Sequence, residues 1–409
     1  MPPADIRARA DAVSELTPTP RQEEHIRLLH LTTVALSVGF LSGQARQMRE
    51  WGIELHILSS PGDELELFAA REGARAHAVQ MERRITPLRD LVAVFRITRI
   101  LRSVRPHVVH AHTPKAGLLG MIAAWFARVP VRIYHLHGLR FTTRRGLGRF
   151  LLRCTEKISC MLAHRVLCVS ASLRDAAVLE GICLAEKTRV LLRGSINGID
   201  VARFQPADAR TRAAARTALG IPHDAFVLGF VGRVVRDKGI VELAAAWQVL
   251  REMFADLRLL IVGPVETQDP VPAEVLDALR SDARVTLRGL DWETPPLYAA
   301  MDLLVLPTYR EGFPSTILEA AAMGLPVVAT RTTGCVDAVE DGVTGTLVSP
   351  RDKTELAEAI ARYRIDTRLR REHGEAGRAR VWKEFRQEAV WNALRAEYFA
   401  LLFSKAGGS

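Results

Sequence analysis

Residues 302–330 read DLLVLPTYREGFPSTILEAAAMGLPVVAT. The apolar run Leu303–Pro307 predicts a strand, the Gly-Phe-Pro segment a turn, and the small-residue run after it a helix. Pro314 suits the first helical turn, where a missing N–H costs nothing, and Ser315 and Thr316 add donors beside the exposed backbone amides. A helix start of this kind is a cradle for anions and hydroxyl groups. Glu311 falls before the helix and Glu319 in its second turn, so both can point toward the carboxyl end of the sheet, where open α/β folds bind ligands. Two readings of these acids stay open at this point: a solvated helix face, or two carboxylates that hold different hydroxyls of one ligand.

Working outward, short apolar runs alternate with amphipathic helical stretches, which predicts parallel sheets covered by helices and an α/β class. The expected strands are 26–32, 54–58, 108–111, 131–136 and 165–169 in the first half, and 226–232, 257–262, 285–287, 303–307, 326–329 and 345–348 in the second. Each half looks Rossmann-like, and 409 residues suit two domains better than one core. We expect a loose tail at 1–24, a first domain at 25–205, a second at 206–385, and a helix at 386–409 that packs back on the first domain. The boundary at Pro206 follows the turn-rich stretch LLRGSINGID, where Asn197 and Gly198 suit a hinge or a plain turn.

A second chemical stretch is FVLGFVGRVVRDKGIVELAAAW, residues 226–247. A strand delivers Gly232 to a turn, Arg233 and Lys238 follow, and a helix begins near Gly239. Two cations beside a glycine turn and a helix start suit a diphosphate; solvated loop charges are the plainer reading. No G-x-G-x-x-G follows the first strand, which disfavours hydride transfer with a dinucleotide. No D-x-D occurs, so no carboxylate pair for a divalent metal is evident, and Cys154, Cys160, Cys168, Cys183 and Cys335 show neither zinc spacing nor an even disulfide set. We expect no metal and no cofactor.

Hydrophobic residues at 48% and charged residues at 25% give no support for extended disorder. The N-terminus carries charges throughout, unlike a signal peptide, and the most apolar run, Ala116–Ala127, is about half of the roughly 20 residues a spanning helix needs. A reducing cytoplasm is the expected compartment. The net charge of +10 is uneven: residues 1–200 hold 29 Lys and Arg against 18 Asp and Glu, and residues 201–409 hold 27 against 28. Between Asp90 and Glu156 stand eleven arginines, Lys115 and no acid. Such a patch attracts anions.

Together GRVVRDKG, EGFPSTILEAAAMGLPVVAT and NGIDVARFQP resemble family 4 of the retaining glycosyltransferases, whose GT-B fold sets two Rossmann-like domains across a cleft. HAHTPKAGLLGMIAA, VRIYHLHGLRF and RVLCVSASLRD are similar to the branch that builds bacterial surface polysaccharides and lipid-linked oligosaccharides. The likeness covers roughly Ile26–Phe403. It implies that Arg233 and Lys238 neutralise the donor diphosphate, that Glu319 holds the ribose, and that Glu311 approaches the transferred sugar. The backbone of Gly312, Phe313, Pro314, Ser315 and Thr316 would hold sugar hydroxyls and phosphate. His137 would face the donor sugar from the first domain, with His135, on the same side of its strand, as the alternative. Gly289 and Asp291 occupy the place of the base contact. Gly39 and Gly43 stand in the first loop, LSVGFLSGQ, which is poorer in glycine than the family's.

The resemblance implies a nucleoside diphosphate sugar as co-substrate, UDP-linked by expectation, and a glycan or polyprenyl-diphosphate acceptor. Glu311 and Glu319 sit in one domain, unlike the acids of a glycosidase, which flank the scissile bond. Arg96, Arg99 and Arg102 recur at helical spacing, and Arg140, Arg144, Arg145, Arg149 and Arg153 continue the basic stretch. Either this is a solvated face or it docks on an anionic membrane, placing the protein at the inner face of the cytoplasmic membrane. Lys115 and Arg140 are narrower candidates for an acceptor phosphate. Few aromatics interleave with these cations, so nucleic acid is not an expected partner. A GT-B sugar-nucleotide epimerase, a basic binding module and an inactive nucleotide binder are the rival readings.

Overall fold

The structure is a computed structural model that describes residues 26–143 and 145–406; the expected tail lies outside them. Seven strands form the first sheet: β1 (Ile26–Leu31), β2 (Ile53–Ser59), β3 (Arg75–Ala78), β4 (Val108–His112), β5 (Val131–Leu136), β6 (Arg165–Cys168) and β7 (Thr188–Arg189). Six form the second: β8 (Phe226–Val231), β9 (Leu257–Val262), β10 (Val285–Arg288), β11 (Leu303–Leu306), β12 (Val327–Thr330) and β13 (Gly345–Val348). Every pairing within both sheets is parallel. Strands covered by helices on both faces must be apolar throughout, which is why FVLGFV in β8 is buried along its whole length.

The orders are β3-β2-β1-β4-β5-β6-β7 and β10-β9-β8-β11-β12-β13. Each reverses direction once, between β1 and β4 and between β8 and β11, and a crevice opens at the carboxyl end of such a switch point. Two strands escape the sequence pattern. β3 is RAHA, half-exposed at one edge, and β7 is two residues at the other, so neither carries the apolar run of a buried strand.

The chain crosses between the domains twice, side by side. Ile199 donates its N–H to the Phe385 carbonyl at 2.7 Å, and Gln387 returns one to Ile199 at 3.1 Å. Gly198 has φ +68°, and a Cβ there would lie 2.8 Å from Gln387 Cα, so this crossing needs glycine for both conformation and space. The helix Gln387–Ala406 then lies on the first domain. Tyr398 Oη sits 2.6 Å from His110 Nδ1, and the buried Glu397 takes Arg165 at 2.7 Å and Arg189 at 3.1 Å. Trp391 donates to Asn197 Oδ1 at 2.7 Å, and Asn197 donates to the Ser42 carbonyl at 2.9 Å, tying the expected hinge to the first loop.

Candidate active site

The carboxyl-end loops of the two sheets meet around Gly312. A Cβ there would stand 1.9 Å from the His137 carbonyl oxygen, so only glycine lets the loop after β11 reach the loop after β5. Ser170 Oγ donates to the Gly312 carbonyl at 2.8 Å, and Ser172 joins Asp337 and Gly334 of the second domain. Glu311 and His137 therefore belong to one crevice.

On the second domain, Gly239 closes the turn after β8. Its φ is +74°, and a Cβ would come within 1.9 Å of the Pro307 carbonyl oxygen. That approach seats Lys238, at the end of the short turn Arg236–Lys238, against Glu311, and the two form an ion pair. Asp237 beside it takes Arg310 at 2.6 Å. Arg233 leaves the end of β8 half-exposed and meets Glu266 at 3.0 Å; Glu266 also lies 3.8 Å from Arg83 of the first domain. Glu266 thus links the Arg233 guanidinium to Arg83 of the first domain.

The helix after this loop spans Ser315–Ala322, with Pro314 as its cap rather than in its first turn, because the ψ of Pro314 is extended at 102°. Phe313 is buried with its ring centroid 5.6 Å from that of Phe385, whereas Ser315 is exposed and Thr316 partly so. Solvent therefore reaches the start of this helix. Glu319 is partly buried and accepts from the Tyr298 hydroxyl at 2.8 Å. Burial pushes its carboxyl up; the Tyr298 hydroxyl, the Arg203 guanidinium and Ser315 oppose that rise.

Across the crevice, His137 follows β5 with the Phe40 ring stacked 5.7 Å away. Burial lowers its pKa to about 4, so the ring is neutral near pH 7. A separate hollow of about 500 Å³ is lined by Ser60, Glu64, Glu82, Arg83, Arg84 and, from the second domain, Gln268. Arg83 and Arg84 are not among the residues the sequence singles out; the dibasic pair in MERRI, before the helix Pro87–Val104, was the available signal.

Other expected residues stand apart. The Lys115 ammonium is held by Asp90 at 2.7 Å, by Thr86 at 3.3 Å and by the Arg84 carbonyl, so its charge is neutralised inside the first domain. The nearest acid in sequence folds onto it. Arg140 lies close enough to Glu156 to lower that carboxyl's pKa. Arg149 and Arg153 both pair with Glu180, at 2.9 and 3.2 Å. Asp291 lies 3.5 Å from Arg288 and accepts from the Glu293 amide, and nothing lies within 4 Å of a Cβ built at Gly289. Gly39 lies under Trp292 of the second domain, 3.9 Å from a Cβ there, whereas Gly43 packs against Trp391 and takes up φ +79° to start the helix Gln44–Glu50.

Histidines also gather at distances within reach of one another, where the sequence predicts no metal site. His30, His110 and His112 form one group, and His112, His135 and His137 another; in each, one ligand atom per residue lies within 4.8 Å of the others. The sequence singled out His135 and His137. The H-x-H repeats of β4 and β5 were the missed signal, because alternate residues of neighbouring strands share a face.

The fold is that of solved GT-B enzymes. It superposes on Anabaena HepE, determined in complex with UDP and glucose, with a TM-score of 0.77 at 22% identity, covering 92% of this chain and all of that one. The family description "Glycosyl transferase 4-like domain" matches residues 40–194, and "Glycosyl transferases group 1" matches residues 225–366. The capsular polysaccharide biosynthesis glycosyltransferase CapM of Staphylococcus aureus is 33% identical over 381 residues, 93% of this chain and 99% of that protein. The Escherichia coli UDP-Gal:alpha-D-GlcNAc-diphosphoundecaprenol alpha-1,3-galactosyltransferase is 27% identical over 69% of this chain and 73% of its own. The chain belongs to the family 4 glycosyltransferases.

Proposed function

We propose that this glycosyltransferase moves a sugar, with retention of configuration, from a UDP-sugar to a hydroxyl of a polyprenyl-diphosphate-linked or other glycan acceptor, without a metal in the transfer step. The observation that carries this is the meeting of Lys238, Glu311 and the Ser315 helix start with His137 at the junction of the two domains. The relatives named for diphosphoundecaprenol-linked and capsular glycans, and the UDP complex of HepE, support the substrate classes.

In this reading Glu319 accepts hydrogen bonds from the ribose hydroxyls, and Lys238 leaves Glu311 to meet the diphosphate together with Arg233. Glu311, released from the lysine, and His137 then hold the sugar from opposite sides. As the bond from the anomeric carbon to the diphosphate oxygen breaks, both cations and the Ser315 amides face the growing negative charge. Preorganised groups of this kind supply several kcal/mol. The acceptor oxygen bonds to the same face of the sugar, and its proton passes to the departing diphosphate, so no separate protein base is needed. Arg83 and Arg84 stand at the acceptor side.

The first domain also fits a peripheral position on an anionic membrane. The helices Pro87–Val104 and Gly146–Leu162 flank Pro114–Phe126 and expose Leu88, Leu91, Phe95, Leu147, Phe150 and Met161. No acidic partner for Arg96, Arg99 or Arg145 occurs among the described residues. No helix among the described residues is long and apolar enough to cross a membrane. The deciding assay is release of nucleoside diphosphate across a panel of sugar nucleotides, with and without a lipid-linked acceptor. Acceptor-dependent release with a UDP-sugar is expected; conversion of the sugar nucleotide without any acceptor would replace this reading with epimerisation.

A further inference from the structure

Residues 83–95 read RRITPLRDLVAVF. Two cations are followed by Ile85 and then by Leu88, Leu91, Val92 and Phe95, whose spacing puts the last four on one face of the helix Pro87–Val104. That face is not the buried one, which Ala93, Val94 and Ile97 supply. It stands open instead: Leu88 is 82% exposed and Leu91 69%. No free charge interrupts it, because Asp90 turns onto Lys115 at 2.7 Å and Arg89 onto Glu82 at 2.9 Å. An apolar strip about 10 Å long therefore leaves the two arginines along the helix.

The arginines themselves stand at the hollow between the domains. Its floor is fixed, since Ser60 Oγ accepts from the Met81 amide at 2.9 Å and donates to the Thr33 carbonyl at 2.7 Å, lacing together the loops after β1, β2 and β3. Lys115 holds the Arg84 carbonyl, yet no acidic partner for the Arg84 guanidinium occurs among the described residues. Arg83 meets Glu266 only at 3.8 Å, beyond hydrogen-bond length. Of the two acids in the lining, Glu82 is taken by Arg89, and Glu64 sits in the first turn of the helix Asp63–Glu72. Planar guanidinium groups match phosphate oxygens in pairs. A free anion has no use for the apolar strip, and a bilayer alone has none for a hollow that Gln268 of the second domain helps to line. An amphiphile with an anionic head uses both.

We propose that the hollow binds the diphosphate of a polyprenyl-diphosphate-linked acceptor, with Arg83 and Arg84 on its phosphate oxygens and the first isoprene units lying along Ile85, Leu88, Leu91 and Phe95. This rests on the transferase reading above and adds where its acceptor lies. Arg83 shares Glu266 with Arg233, which sets this head site next to the one assigned to the donor.

The test is calorimetric titration of the full-length protein with farnesyl diphosphate, with no sugar nucleotide and with UDP present throughout to fill the donor side. One saturable site is expected. Inorganic pyrophosphate, which lacks the chain, and farnesol, which lacks the charge, should each bind at least about tenfold more weakly. The double variant Arg83→Gln with Arg84→Gln should lose at least about tenfold in affinity for farnesyl diphosphate, and Leu88→Ser with Leu91→Ser should bring that affinity down to the pyrophosphate value while leaving pyrophosphate binding unchanged. All these side chains are solvent-exposed, and a native melting profile checks each variant. Arg368→Gln, on the second domain and paired with Glu372, should change nothing. The proposal is overturned if farnesyl diphosphate fails to bind, if farnesol binds as well as it does, or if the arginine variant binds in full. Sugar transfer to a soluble glycan without farnesyl diphosphate binding would remove this site and leave the transferase reading standing; binding without any acceptor-dependent release of nucleoside diphosphate would do the reverse.

Discussion

Lys238 and Glu311 form an ion pair between side chains only 15% and 12% exposed, although 73 residues separate them in the chain. Each is the other's counter-ion, and under the proposed function a diphosphate would compete for the ammonium. Lys238→Ala is expected to lower kcat/KM on the order of 100-fold, about 3 kcal/mol of transition-state stabilisation, and to weaken nucleoside diphosphate binding. Glu311→Ala should abolish transfer while the nucleotide still binds, if its carboxylate meets the sugar and not the phosphates as proposed. Calorimetric binding beside steady-state kinetics separates the two effects. Full activity in Lys238→Ala would remove the lysine from the leaving-group site.

Gly312→Ala tests whether the crevice works only when the domains meet. The added methyl would collide with the His137 carbonyl, across the interface and not within the second domain. Turnover should fall by about 100-fold, the scale at which a misplacement of roughly 1 Å is felt. Nucleoside diphosphate affinity should stay within a few-fold of the parent, since the second domain's own contacts are undisturbed. Equal losses in both measurements would show that the loop acts within the second domain alone.

The sheet architecture was legible because parallel strands covered on both faces cannot alternate in polarity, so β8, β9 and β11 announce themselves as apolar runs. The edges β3 and β7 were not, since half-exposed or two-residue strands leave no such run. Lys238 and Glu311 were each visible beside a helix start, yet their contact depends on β8 and β11 being neighbours, which no local pattern records. Lys115 makes a contact that no local pattern records either. A stretch without acids looked uniformly basic, but Asp90 at its border folds onto the lysine. The histidine row needed the strand order as well: period two places His135 with His137, and only the adjacency of β1, β4 and β5 adds His30, His110 and His112.

The exposed helix faces of the first domain make the membrane reading measurable. Phe95 and Phe150 are 70% and 61% exposed, beside Arg96 and Arg149 in sequence. The protein should cosediment with vesicles containing anionic lipid, less so as salt rises, each engaged cation contributing about 1 kcal/mol. Replacing both phenylalanines by serine should reduce the bound fraction at least about tenfold, because each buried aromatic is worth roughly 1.5–3 kcal/mol. Binding that is absent, or indifferent to salt, would leave the arginines as a solvated face.

Glu156 offers a stability test away from the crevice. Its side chain is fully enclosed beneath Tyr134, whose hydroxyl donates to it at 2.7 Å and whose ring covers Gly117. Burial raises its pKa from 4.5 to about 7, a rise that the Tyr134 hydroxyl and the Arg140 guanidinium only partly oppose. A carboxyl whose folded pKa lies above its unfolded value stabilises the fold below the unfolded value, and that contribution is lost as pH rises through the folded one. From pH 4.5 to above 7 the loss amounts to about 3 kcal/mol by linkage. Glu156→Gln keeps an acceptor for Tyr134 and cannot ionise. Its stability should match the parent's near pH 4.5 and exceed it by up to about 3 kcal/mol at pH 8.5, read as the difference between the two denaturant midpoints across that range. A difference that stays flat with pH would mean that Glu156 ionises as readily in the fold as out of it, with water or Arg140 reaching the carboxylate.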